Sequence, residues 1–166
     1  MKDIELKLIS ELVKNSRRSD RELAKAIGIS QPTVSRIRVR LEKQGLIDYS
    51  AVPNLARLGF EMIVVTLCKR NYVKHPEYDI QKAKDFATEY PNIIFGASGD
   101  GLGYDRIGIS VHKNYAEYSK FMRESQEYWG DFMSFDSFLI SLAGKDVVQP
   151  LSLKPFVEHL KQKSLE

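Results

Sequence analysis

The chain has 166 residues, of which 43% are hydrophobic and 28% charged, a composition that excludes a disordered chain and fits one or two compact domains. No stretch approaches the roughly 18 apolar residues of a membrane span, and the opening MKDIELKLIS alternates charge with apolar residues where a signal peptide has a continuous apolar core. The net charge of +3 is unevenly placed: residues 1–52 hold 11 Lys and Arg against 7 Asp and Glu, and the remainder 14 against 15, a basic excess in the N-terminal third that charge alone reads as a solvated face and that also suits a polyanion partner.

From the N-terminus, Ile4, Leu8, Ile9, Leu12 and Val13 recur at helical spacing after Asp3, a candidate cap. Ser19-Asp20-Arg21-Glu22 has the Ser-x-x-Glu form of a capping box and opens a second helix with Leu23, Ala24 and Ile27 on one face. Gly28 ends it, because glycine takes the left-handed conformation without a side-chain penalty. Ser30 can cap a third helix, and Pro32 fits its first turn, where no intrahelical N–H is needed. Within that helix, 31–44, the arginines Arg36, Arg38 and Arg40 alternate with Ile37, Val39 and Leu41 as if in a strand. A wheel of about 100° per residue removes the resemblance to a strand. Val34, Ile37 and Leu41 form a core stripe; Pro32, Ser35, Arg36, Val39 and Lys43 point away, with Arg38 and Arg40 on the flanks. Gly45 closes the helix, and Leu46, Ile47, Tyr49, Ala51 and Val52 suggest a small hairpin or a single wing strand.

Three helices and a short β element make a winged helix-turn-helix, with small Ala24, turn glycine Gly28 and apolar Ile29, Val34 and Ile37 at the motif's spacing. The third helix, 31–44, is expected in the major groove with its N-terminal residues nearest the base edges. Gln31 can pair with adenine and Arg36 can bond guanine through two hydrogen bonds. Thr33, Ser35, Arg38, Arg40 and Lys43 are expected on phosphates, where they set register. Twofold pairing of such heads implies a pseudo-palindromic site on double-stranded DNA.

Residues 53–59 read as a linker. A strand follows in FEMIVVTLCK, then a helix over 79–90, a strand at 92–97, a strand at 106–112, a helix over 114–129 and a strand at 132–142. The order β-α-β-β-α-β is the ferredoxin-like arrangement. The expected organisation is therefore α+β: a winged helix-turn-helix in 1–52, the linker, a ferredoxin-like βαββαβ domain in 60–150, and a tail, 151–166, with a short helix after Pro155. Two helices cover one face of a four-stranded sheet. The first strand is apolar on both sides, Met62 and Val64 on one and Ile63, Val65 and Leu67 on the other, so whichever face the helices leave bare is expected to need a second copy, although Gly108 and Ser110 weaken the third strand's share.

The stretch KNSRRSDRELAKAIGISQPTVSRIRVRLEKQGLI, residues 14–47, followed by that second domain, resembles the leucine-responsive regulator/AsnC (Lrp/AsnC) family of prokaryotic transcription regulators. The resemblance covers about residues 1–145. It implies homodimers through the second domain, often assembled into larger even-numbered rings. It also implies amino-acid or related effectors near a Gly-x-Tyr-Asp turn, here Gly103, Tyr104 and Asp105 within GASGDGLGYDRIGISV. In this chain the glycine directly precedes the tyrosine, and the recognition helix reads Arg36-Ile37-Arg38 where family members often have two basic residues together.

Other chemistries find little support. Gly99–Gly103 lies between two strands with no following helix, unlike a phosphate loop. His75, His112 and His159 are far apart, and no Cys/His spacing suggests a metal or cofactor. Cys68, the single cysteine, sits in an apolar run as a small core residue, and its isolation fits a cytoplasmic protein. Sirohaem decarboxylases resemble the same family in both domains. The segment matching their His-Asn-Tyr-Arg-like pattern is PNIIFGASGD, without histidine or arginine, so no enzyme is expected. An architectural DNA-compacting protein is the remaining alternative.

Overall fold

The computed structural model describes residues 2–75, 80–144 and 147–162, without the side chains of residues 161 and 162. The chain divides into two compact units, residues 1–52 with 150–166, and residues 53–149.

In the first unit α1 (Asp3–Lys14), α2 (Asp20–Ile27) and α3 (Gln31–Lys43) enclose Leu8, Leu12, Leu23, Ala24, Val34, Ile37 and Leu41. Asp3 does not cap α1. It is the first helical residue and its carboxylate pairs with Lys7 at 2.7 Å, one turn on, while the Lys2 N–H donates to Glu5 at 2.9 Å. The capping box of α2 is formed: the Ser19 N–H and hydroxyl both donate to the Glu22 carboxylate at 2.7 Å, and the Glu22 N–H donates back to Ser19 Oγ at 3.3 Å. Gly28 ends α2 at φ +74°, the conformation in which a Cβ is strained.

Two expectations are corrected in this unit. Residues 46–52 form no strand. A strand needs a ladder partner, and this segment is held instead by side chains: Ile47 packs on the core and Tyr49 is bound to Arg38. The segment from Pro150 onward is not a separate tail. Its helix α6 (Phe156–Gln162) lies against α1 and buries Val157.

In the second unit β1 (Met62–Arg70), α4 (Ile80–Glu89), β2 (Ile93–Gly101), β3 (Tyr104–His112), α5 (Tyr115–Trp129) and β4 (Met133–Ser141) follow in chain order. Their sheet has the order β2-β3-β1-β4, antiparallel throughout. The expected limits of β2 and β3 were too short, because both strands run on into the hairpin, with β2 bulged between Ser98 and Gly101.

Register assigns the two faces. Val64, Thr66 and Cys68 of β1 lie opposite Ser110, Gly108 and Arg106 of β3, and α4 and α5 cover this face through Phe86, Phe121 and Trp129 with Met133 and Phe135. Ile63, Val65 and Leu67 share the other face with Ile107, Ile109, Val111, Phe138 and Ile140. Gly108 and Ser110 therefore fall on the covered face and do not dilute the uncovered one. That uncovered face leaves Phe138 70% exposed.

Candidate nucleic-acid interface

The turn between α2 and α3 is set by backbone bonds. The N–H groups of Gly28 and Ile29 both donate to the Ala24 carbonyl, at 2.9 and 3.1 Å, and Ile29 packs on the core beside Leu23 and Ala24. Ser30 then starts α3, accepting from the Thr33 N–H at 3.4 Å, with the two hydroxyls 2.8 Å apart. Burial of Val34, Ile37 and Leu41 fixes the rotation of α3 about its axis. Gln31, Pro32, Arg36, Val39 and Lys43 consequently stand exposed on its outer side.

The seven side chains expected at DNA fall into two groups. Gln31, Ser35, Arg36 and Lys43 make no side-chain hydrogen bond or ion pair to another described residue. Thr33, Arg38 and Arg40 are engaged within the unit. Arg38 bonds Asp20 at 3.1 Å, Glu42 at 3.3 Å and the Tyr49 hydroxyl at 2.9 Å, and lies 5.0 Å from the Tyr49 ring centre. Burial works against the Arg38 charge, but the bonds to Tyr49 and Asp20 outweigh it and hold its pKa above the usual value. Burial likewise pushes the Tyr49 hydroxyl pKa up. Arg40 pairs with Glu5 of α1. The Lys2 N–H, with Arg40 beside it, keeps that carboxyl below its ordinary pKa. Arg38 thus ties α3 to α2 and to the segment after α3, and Arg40 ties α3 to α1.

Three cations outside α3 escaped the sequence reading. Arg17, Arg21 and Lys25 are exposed, and their side chains have no ion pair among the described residues. Arg21 and Lys25 are one turn apart on the same side of α2. The legible signal was the inward set Leu23, Ala24 and Ile27, which leaves positions 21 and 25 outside. Arg18, by contrast, is paired with Glu11 and donates to the Glu22 carbonyl at 3.2 Å.

The Gly103–Tyr104–Asp105 turn is built into its own unit. The Tyr104 hydroxyl donates to Asp136 at 2.8 Å, and that bond raises its pKa. The Asp105 carboxylate accepts from Arg106 at 2.5 Å and from the Arg70 N–H at 3.1 Å. Gly103 has φ +81°, as the tight turn requires. Among the described residues no cluster of His, Cys, Asp and Glu could hold a metal ion. Burial pushes the Cys68 thiol up to about 11, so it stays protonated and a poor nucleophile. No described helix is long and apolar enough to cross a membrane.

Residues 1–48 match a family described as winged helix-turn-helix DNA-binding. The chain is 30% identical over 123 residues to the HTH-type transcriptional regulator FL11 of Pyrococcus furiosus, covering 72% of this chain and 76% of that protein. Among solved structures, LrpC of B. subtilis superposes with a TM-score of 0.70 at 23% identity, covering 84% of this chain and 94% of that one. The L-Met complex of the transcriptional regulator NMB0573 from Neisseria meningitidis superposes with a TM-score of 0.71 at 15% identity, covering 94% and 99%.

Proposed function

The chain belongs to the leucine-responsive regulator/AsnC family of DNA-binding transcription regulators, and from that premise we propose that α3 reads the major groove with Gln31 and Arg36 while Ser35, Lys43, Arg21 and Lys25 take phosphates. The observation that carries this division is the pairing pattern. Arg36 is exposed without an internal partner, whereas Arg38 and Arg40 are bound to Asp20, Glu42, Tyr49 and Glu5. A cation already paired to a carboxylate offers less to a phosphate, and the electrostatic share of affinity scales with the cations that neutralise phosphates. Arg38 and Arg40 therefore act chiefly by holding α3 in place. First helices of such motifs cross the backbone, which suits Arg21 and Lys25.

The test is binding of Arg36→Ala, Arg40→Ala and Lys25→Ala to a selected operator and its single-base variants over a salt series. Loss of Arg36 is expected to cost roughly 1–3 kcal/mol per half-site and to relax preference at one base pair. Loss of Lys25 is expected to weaken all sequences alike and to reduce the salt slope by about one. If Arg36→Ala weakened every variant equally, the assignment of base reading to Arg36 would be wrong.

The same reading makes the protein a cytoplasmic, non-enzymatic homodimer, joined through the uncovered sheet face of the second unit and capable of higher even-numbered assembly. An amino-acid effector at Gly103, Tyr104 and Asp105 is supported by the family turn and by the L-Met complex of the relative. Calorimetry with a panel of amino acids, on native protein and Tyr104→Phe, tests it: an unchanged response in the variant places the effector elsewhere.

A further inference from the structure

Between the covered sheet face and helices α4 and α5 lies a cavity of about 340 Å³, within the size range of small-molecule sites, roughly 300–1,000 Å³. Its walls are apolar: Phe86, Ile93, Phe121, Trp129, Met133 and Phe135. Its floor is the pair Gly96 and Gly108, opposite each other in the β2–β3 ladder. Neither glycine has a positive φ, and a Cβ at Gly108 would meet nothing within 4 Å, while at Gly96 only the Ile107 carbonyl lies as near as 4.0 Å. Glycine inside a strand weakens it, and here neither a turn nor a close approach demands it. What the two residues accomplish is to leave the space open. The cavity reaches solvent beside Ile80 and Ala87, both exposed.

The charges on the lining all have one sign. Arg106 and Lys84 line the cavity, and no Asp or Glu is among the described lining residues. The Arg106 guanidinium is already neutralised by Asp105 at 2.5 Å, so the uncompensated positive charge of the lining is that of Lys84, at the exposed side of α4. We propose that this cavity binds a small apolar monocarboxylate, with its hydrocarbon between the sheet and the two helices and its carboxylate toward Lys84 at the mouth. An α-ammonium group would find no carboxylate partner on these walls, and burying an unpaired charge is costly, so free amino acids are disfavoured. The site shares no residue with Gly103, Tyr104 and Asp105 and does not depend on an effector there.

Trp129 is the chain's single tryptophan and lines the cavity, so its emission reports occupancy directly. Full-length protein is titrated with octanoate and with 3-phenylpropionate, against L-leucine and octylamine, in parallel with thermal unfolding. A saturable emission change and a higher unfolding temperature are expected with at least one carboxylate, with leucine and octylamine at least tenfold weaker. Gly108→Val fills the floor and Ala83→Phe fills the helix side. Each is expected to keep the native circular dichroism and to lose the response, with Gly108→Val unfolding at the native temperature or above. The proposal is overturned by no saturable change with either carboxylate, by an undiminished response in a folded filled variant, or by equal binding of octylamine.

Discussion

Arg36 and Arg38 stand two residues apart on α3, and only Arg36 keeps its guanidinium for an outside partner. The difference is set by rotation about the helix axis: Arg38 is turned toward Asp20 and Tyr49, and Arg36 toward solvent. Stability separates the two roles. Arg36→Ala is expected to leave the unfolding free energy from urea titration within about 0.5 kcal/mol of native. Arg38→Ala is expected to lower stability by about 1 kcal/mol, because it strips a partner from part-buried Asp20 and unties the exposed Tyr49 from α3. His112 gives a second residue-level test. It is fully buried on the covered sheet face, bonds Ser110 at 2.9 Å and packs on Tyr118 and Phe121. Burial lowers its pKa below the ordinary 6.5, against a weaker opposing pull from Glu117. As pH falls through about 6.5 the unfolded chain takes up the proton before the folded one, so stability declines with acid, by at most about 1.4 kcal/mol per pH unit. Thermal unfolding between pH 7 and pH 5 should show this decline, and His112→Gln should flatten it.

Helix ends explain how much of the element map was legible. Ser19 with Glu22, Gly28 and Ser30 announce their positions by local chemistry, and the helices begin and end at them. Ser19→Ala is accordingly expected to cost about 1 kcal/mol of unfolding free energy, read by urea titration. The core stripe Val34, Ile37 and Leu41 was legible for the same reason, since a 3.6-residue period needs no knowledge of what covers it. Features fixed by distant partners were not legible. Arg38 meets Asp20 and Tyr49 at separations of 18 and 11 residues, and no local pattern points to either. The residues after Gly45 have strand-like composition, but a strand exists only with a neighbour. The helix after Pro155 could be placed by sequence, whereas its docking on α1 could not. Val157 is the measure of that docking, being 2% exposed. Val157→Ala should destabilise the first unit by about 1–3 kcal/mol, and the loss should appear in the unfolding of the DNA-binding unit rather than in the Trp129 signal.

At the scale of the molecule, the uncovered sheet face dominates. Ile63, Val65, Leu67, Ile109, Phe138 and Ile140 lie on one surface by register, and an apolar area of this kind is unusual on a monomer. A charge at its centre should break the proposed dimer: Val65→Asp and Phe138→Asp are each expected to sediment as monomers at concentrations where the native protein does not. Monomeric native protein would remove that role from the sheet. The cavity on the opposite side of the same sheet had no sequence signal, because a void is the difference between the volumes of side chains from α4, α5 and four strands. Gly96 and Gly108 fall within the two expected strands, 92–97 and 106–112, but only the ladder sets them opposite each other.

The return of residues 150–162 to the first unit also has a consequence for biosynthesis. The chain makes α1, α2 and α3 first, then all of the second unit, and only afterward the helix that lies on α1. A nascent chain that has delivered residue 149 therefore carries a reading head whose α1 still lacks the helix that buries Val157. The head reaches its final packing only after the entire second unit has left the ribosome. Until then the surface of α1 that receives α6 stays uncovered, so the last segment to be made completes the first unit to be made.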